Sequence, residues 1–264
     1  MKHARWGSLQ RLTMKRKLSD NYKRVRDRIH AACRRSGRDP GSVRLVAVTK
    51  MVEVDVIRAA IEMGMVDLGE RRVQDLVKRA GMINEHLARR RTLEPGTCPP
   101  TPRWHMIGHL QRNKVRQLLP WVDMIHSLDS LRLAEEISDE AAKLGRVVPC
   151  LIEINVSGEK SKFGIAVGAA PYLAEQVVAM PGLSIVGLMT MAPLVENAEE
   201  ARCYFRRLRE LFEDMKHEGV VKPEFRELSM GMTNDFEVAI EEGATLVRIG
   251  TALFEGLTNP VQQQ

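Results

Sequence analysis

The sequence predicts an α/β fold: a single (β/α)8 barrel of the TIM type, with one extra helix at its N-terminus. Three observations predict it. Eight short apolar runs alternate with helical patterns along the chain. The first helical pattern, 18–35, has no strand before it. The chain ends about fifteen residues after the eighth run, too few for a final full-length helix, so the N-terminal helix can take the vacant place in the outer ring. A doubly wound open sheet is the alternative.

Each element has its own reason. Residues 1–17 form a basic extension, expected to be disordered, in which the second methionine, Met14, is the expected start. Leu18, Tyr22, Val25, Ile29 and Ala32 then recur on one helical face. Strand one is expected at 43–49, strand two at 65–68, strand three at 103–107 and strand four at 123–127. The Pro-rich RTLEPGTCPPTPR, 91–103, reads as a surface loop. A helix is expected at 131–144, where Leu133, Ile137 and Leu144 share a face. Strands five and six fall at 149–156 and 183–190, and an Arg-, Glu- and Leu-rich helix at 198–216. Strands seven and eight fall at 226–229 and 245–249. The barrel domain spans 18–258, and 259–264 is a C-terminal tail.

Composition excludes several function classes. The most apolar window, LSIVGLMTMAPLV, is broken by Ser184, Gly187, Thr190 and Pro193 and falls short of the ~20 apolar residues of a membrane span. The first 13 residues lack the apolar core of a secretory signal. The net charge of +6 is lopsided: residues 1–40 hold 13 Lys/Arg against 3 Asp/Glu, and the rest 27 against 31. The body is slightly acidic and few stacking aromatics accompany the basic arm, so nucleic-acid binding is not expected. Four cysteines, Cys33, Cys98, Cys150 and Cys203, form no CxxC pair, so neither zinc site nor disulfide framework is indicated. A cytoplasmic location is expected.

In a barrel of this class the C-terminal strand ends carry function. Strand one stops on Lys50, an ammonium group at the end of RLVAVTK. Strand seven leads into SMGMTNDFEVAIEEG, where Ser229, Gly231 and Thr233 precede a helix that Asn234 or Asp235 could cap. Strand eight leads into RIGTALFEG, with Gly250 and Thr251 at the turn. Glycines at strand-to-helix turns let a phosphate approach the backbone N–H groups, and barrels often hold phosphate after these two strands. A phosphate there and a lysine amine on the adjacent strand one match pyridoxal phosphate, whose aldehyde forms a Schiff base with lysine. Arg248 could then meet the pyridine nitrogen. A guanidinium keeps its proton, so the ring would be a weaker electron sink than one facing a carboxylate.

Beyond this, the chain resembles the YggS/PROSC family of pyridoxal phosphate homeostasis proteins. The resemblance runs from about residue 18 to 256 through RLVAVTK, the GE of LGERRVQDL, WHMIGHLQRNK, HSLDS, SGEKSKFG, GLMTMAP, LSMGMTNDFEVAIEEG and VRIGTALFEG. It implies a barrel related to the N-terminal domain of alanine racemase that holds the cofactor on Lys50. It implies phosphate contacts from Ser229, Thr233, Gly250 and Thr251, with Arg248 near the ring nitrogen and Met189, Met230 and Gly231 also at the cofactor. The function implied is a non-catalytic part in vitamin B6 supply, with PLP-dependent apoenzymes as candidate partners.

The chain departs from the family at two places: Val52 stands where a second lysine is usual, and Arg71 where an asparagine lies near the cofactor ring. Lys114 and Lys162 remain. His105 and His109 are spaced like metal ligands, but Gly108 and a strand end lie between them, and structural roles are expected. Asp235 and Glu237 read as helix-start carboxylates, and Glu241 and Glu242 as solvated. The rival readings are an amino-acid racemase or decarboxylase using the same cofactor, and a cofactor-free aldolase using Lys50. The related racemases add a second, β-rich domain, for which no sequence is left after residue 256.

Overall fold

Eight parallel strands pair edge to edge until the last meets the first. In the computed structural model, which describes residues 2–94 and 96–258 and side chains from residue 10 onward, these are β1 (Arg44–Val48), β2 (Asp67–Glu70), β3 (Arg103–Met106), β4 (Met124–Leu128), β5 (Val148–Asn155), β7 (Leu183–Met189), β8 (Glu227–Ser229) and β9 (Leu246–Ile249). The order β4-β3-β2-β1-β9-β8-β7-β5, with β4 also paired to β5, closes the barrel. A two-residue strand the sequence did not signal, β6 (Ile165–Ala166), adds to the end of β5. The expected tail at 259–264 lies outside the described residues.

Helices wrap the barrel: α2 (Val54–Glu62), α3 (Val73–Leu93), α4 (Val115–Leu118), α5 (Leu131–Lys143), α6 (Ala170–Val177), α7 (Arg202–His217) and α8 (Phe236–Glu241). The first helix, α1 (Lys2–Arg35), starts well before residue 18. The extension expected to be disordered is therefore helical, because Leu12, Met14, Arg16 and Lys17 are sound helix formers, no proline interrupts them, and Met14 packs on the core. Downstream, Leu18, Ile29 and Ala32 are fully buried. α1 packs on both α2 and α8, and Asn21 Nδ2 donates to the carbonyls of Leu253 and Glu255 at 3.1 Å each, so the helix does close the outer ring.

Residues along each strand alternate between two environments. Leu68, Ile125, Ile152, Leu188 and Val247 join the large core between wall and helices. Val46, Met124, Leu151, Met189 and Leu246 form a separate small cluster inside the barrel. Burying side chains of this size stabilises by about 1.5–3 kcal/mol each, so both layers resist a one-residue slip. β2 sits two residues later than its apolar run, since Asp67 and Glu70 make DLGE read as a turn although all four residues are buried.

Two other expectations change. Leu144 ends α5 half-exposed rather than on the buried face. Glu242 is buried, not solvated: it meets Arg202 at 3.0 Å, Arg209 at 3.2 Å and Arg206 at 3.5 Å, while Glu241 meets Arg35 and Arg202 at 2.6 Å each. The basic residues of α7 and α1 draw these carboxylates in. No helix among the described residues is long and apolar enough to cross a membrane.

Candidate functional site

The mouth at the C-terminal strand ends is built first at β1. Thr49 continues the strand ladder by donating its N–H to the Gly69 carbonyl at 3.1 Å, and Lys50 opens the turn that follows. This turn is held from outside the wall. Arg79 of α3 donates from Nη1 to the Thr49 carbonyl at 2.6 Å and from Nη2 to the Val52 carbonyl at 3.1 Å. Its guanidinium also pairs with Glu70, and the Thr49 hydroxyl donates to the same carboxylate oxygen. Glu70 is wholly buried; burial pushes its carboxyl up, against the opposing pull of Arg79 and Thr49. The Lys50 side chain itself is exposed at the mouth, in step with inward-facing Val46 and Val48.

Inside the barrel a polar chain crosses from one end to the other. At the N-terminal end of the strands, Arg103 donates to both oxygens of Asp67 at 2.8 Å. His105 Nε2 lies 3.0 Å from Asp67 Oδ1, His105 Nδ1 is 2.9 Å from His126 Nε2, and His126 Nδ1 is 2.9 Å from Ser229 Oγ. Arg248 Nη1 donates to Ser229 Oγ at 2.5 Å, and its Nη2 donates to the Thr190 carbonyl at 2.8 Å. Burial works to raise Asp67, but the hydrogen bonds from His105 and Arg103 overcome it and hold the carboxyl well below its usual range. Burial first, with the neighbouring His105 and the Arg248 guanidinium adding to it, keeps His126 far below the usual imidazole range. Arg248 is lowered by burial to about 10, with Asp235 and Glu153 opposing, and remains a cation at neutral pH.

The two glycine turns meet beside Arg248. Gly231 has φ +91°, and a Cβ there would fall 2.5 Å from Ala239 Cβ and 2.8 Å from Phe236 Cα, so only glycine lets this turn lie against α8. Ala252 N–H donates to Thr233 Oγ1 at 3.4 Å, tying the turn after β8 to the turn after β9. Thr251 is exposed at the rim. Beyond Gly250 the chain forms one hydrogen-bonded turn, Leu253 and Phe254 N–H to the Gly250 carbonyl, rather than a regular helix.

The remaining expected residues divide. Met189 lies in the interior cluster, at the floor of the mouth. Met230 turns its side chain into the outer core, which leaves only its backbone for a ligand. The hydroxyl of Ser229, expected on a phosphate, is fully buried between Arg248 and His126. Asp235 occupies the N-cap position of α8, but its carboxylate accepts from Met232 N–H at 2.6 Å and braces the loop instead of the helix. His105 belongs to the interior chain, whereas His109 lies 3.1 Å from Asp129 and stacks on Phe163 at the rim. Val52 is buried in the outer core, and Arg71 is exposed with its stem against Gly108.

Pattern reading missed Glu70, Arg79, His126 and Asp67, and also Glu153. That glutamate is buried on β5, and its Oε2 has no hydrogen-bond partner among the described residues. A carboxylate interrupting the apolar run LIEIN was the available signal.

A sequence profile of the alanine racemase N-terminal domain matches residues 16–258. The chain belongs to this family. It is 43% identical over 236 residues to the pyridoxal phosphate homeostasis protein of Aquifex aeolicus, covering 89% of this chain and 96% of that one. It is 39% identical over 240 residues to the protein of the same name from Pseudomonas aeruginosa, covering 90% and 94%. The structure of PipY from Synechococcus elongatus with PLP bound superposes with a TM-score of 0.71 at 31% identity, over 87% of this chain and 99% of that one. Membership in the alanine racemase N-terminal domain family accords with the closed parallel barrel and its N-terminal helix.

Proposed function

We propose that this chain binds pyridoxal 5'-phosphate at the barrel mouth and takes part in intracellular vitamin B6 homeostasis as a carrier. One observation carries the reading: Lys50, Arg248 and the two glycine turns converge on one end of the barrel. The relatives named for pyridoxal phosphate homeostasis, and the PipY structure with PLP bound, support it. The donor set suits the group. Lys50 would hold the aldehyde through a Schiff base, and Thr233, Thr251 and the N–H groups of the turns at Gly231 and Gly250 would hold the phosphate. Arg248 would face the ring nitrogen.

When bound, the cofactor supplies an electron sink, and a guanidinium partner keeps that sink weak because it does not surrender its proton. Arg248 is fixed by Ser229 and Thr190, so it cannot swing away to let the ring nitrogen protonate. This favours holding the cofactor for PLP-dependent apoenzymes over amino-acid racemisation. The test is chemical: load the protein, reduce with borohydride, digest, and locate the pyridoxyl adduct by mass spectrometry. An adduct on Lys50 is expected; one confined to another lysine sinks the assignment, and rapid turnover of a racemisable amino acid overturns the carrier reading.

A further inference from the structure

The polar chain inside the barrel can be assigned hydrogen by hydrogen. Asp67 accepts two bonds from Arg103, so as a carboxylate it can only accept from His105, and His105 Nε2 must carry a hydrogen. Arg248 can only donate, so Ser229 Oγ accepts from it. Three assignments satisfy these ends. In one, both imidazoles are neutral: His126 Nε2–H donates to His105 Nδ1, and the Ser229 hydroxyl donates to His126 Nδ1. In the second, His105 is charged and donates to His126 Nε2, and His126 Nδ1–H donates to Ser229. In the third, His126 is charged and donates from Nε2 to His105 Nδ1 and from Nδ1 to Ser229. The second and third both leave the Ser229 hydrogen facing two donors with no acceptor among the described residues, in a site where the residue is wholly buried. Only the first gives every atom a complementary partner.

We propose that His126 and His105 are positioning residues for Arg248, joined to it in a one-way relay, Arg248 to Ser229 to His126 to His105 to Asp67, with both imidazoles held as Nε2–H tautomers. The positioning role rests on the reading above that Arg248 faces the cofactor ring; the tautomers do not. Ser229 then has no hydrogen to give a phosphate. Its oxygen is one of two anchors of the guanidinium, and His126 turns that oxygen's lone pair toward Arg248 by taking its hydrogen. The charge of Arg103 at the far end, paired with Asp67, sets the direction of the whole chain.

Two measurements decide it. Long-range proton–nitrogen NMR of the cofactor-free protein, with labelled histidine, should show His105 and His126 as neutral Nε2–H tautomers at pH 7; an Nδ1–H tautomer or an imidazolium at either overturns the relay. Equilibrium dialysis with pyridoxal phosphate should show Ser229→Ala weakening binding about tenfold. In the same variant the His126 Nδ1 resonance should shift as it loses its donor. Unaltered affinity in a folded Ser229→Ala protein overturns the positioning role. Failure of the wild type to bind the cofactor overturns both the function proposed above and the positioning role, and is told apart because the tautomers still come out as assigned.

Discussion

Two buried glutamates sit near the C-terminal ends of barrel strands, on opposite faces of the same wall. Glu70 of β2 faces outward, where Arg79 and Thr49 meet one of its oxygens and tie it to the turn that carries Lys50. Glu153 of β5 faces inward, with no ion pair or side-chain hydrogen bond among the described residues. Burial, with the Asp129 charge adding and Arg248 opposing, pushes the Glu153 carboxyl up to about 7. The first is a fixed brace and the second a group that titrates near neutrality. A barrel wall thus offers a strand-end carboxylate two fates, set by whether a helix behind it supplies a cation.

Breaking the brace should have the largest effect. Arg79→Met leaves Glu70 buried without its counter-ion and frees the carbonyls of Thr49 and Val52, and removing one partner of a buried pair costs about 3–5 kcal/mol. Urea unfolding of the cofactor-free protein measures it. A loss below about 1 kcal/mol would mean that the brace is not what orders the Lys50 turn.

On the inner face the expected change has the opposite sign. Because the folded-state value of Glu153 lies above its ordinary 4.5, the folded protein holds the proton more tightly than the unfolded chain. That contribution is fully present below pH 4.5 and is lost as pH rises through about 7. Glu153→Gln, neutral at every pH, should therefore be more stable than the wild type by roughly 3 kcal/mol at pH 8 and by less than about 1 kcal/mol at pH 5, at 1.36 kcal/mol per pH unit. Unfolding curves at the two pH values give the difference directly; equal gains at both would show that Glu153 does not titrate in this range.

The contrast also marks what pattern alone can show. Strand positions and the Lys50 terminus were legible because apolar runs have a period and an end. β2 was misplaced by two residues because both its carboxylates are buried for reasons lying elsewhere, Asp67 for Arg103 and His105, Glu70 for Arg79. Arg79 looks like any basic residue of a helix until α3 is laid over the wall. The interior relay was invisible because His126 and Ser229 belong to β4 and β8, which do not pair and meet only across the closed barrel. Glu242 reads as solvated at the end of its own helix because the three arginines that bury it come from a different one.

The smallest expected effect sharpens the comparison most. The brace grips the backbone of residues 49 and 52, and the Lys50 side chain is exposed, with no ion pair among the described residues. If the network exists to present the lysine, deleting the side chain should leave the network intact. Lys50→Ala should then change the stability of the cofactor-free protein by no more than about 0.5 kcal/mol, the usual range for a surface position. The same variant should lose the borohydride-reducible adduct entirely, yet still bind pyridoxal phosphate non-covalently through several hydrogen bonds to a charged group, each worth about 1.5–3 kcal/mol. Urea unfolding and dialysis on one preparation separate the two quantities. A stability loss above about 1 kcal/mol would make Lys50 part of the brace itself, and the distinction between a group that holds and a group that is held would fail at this strand end.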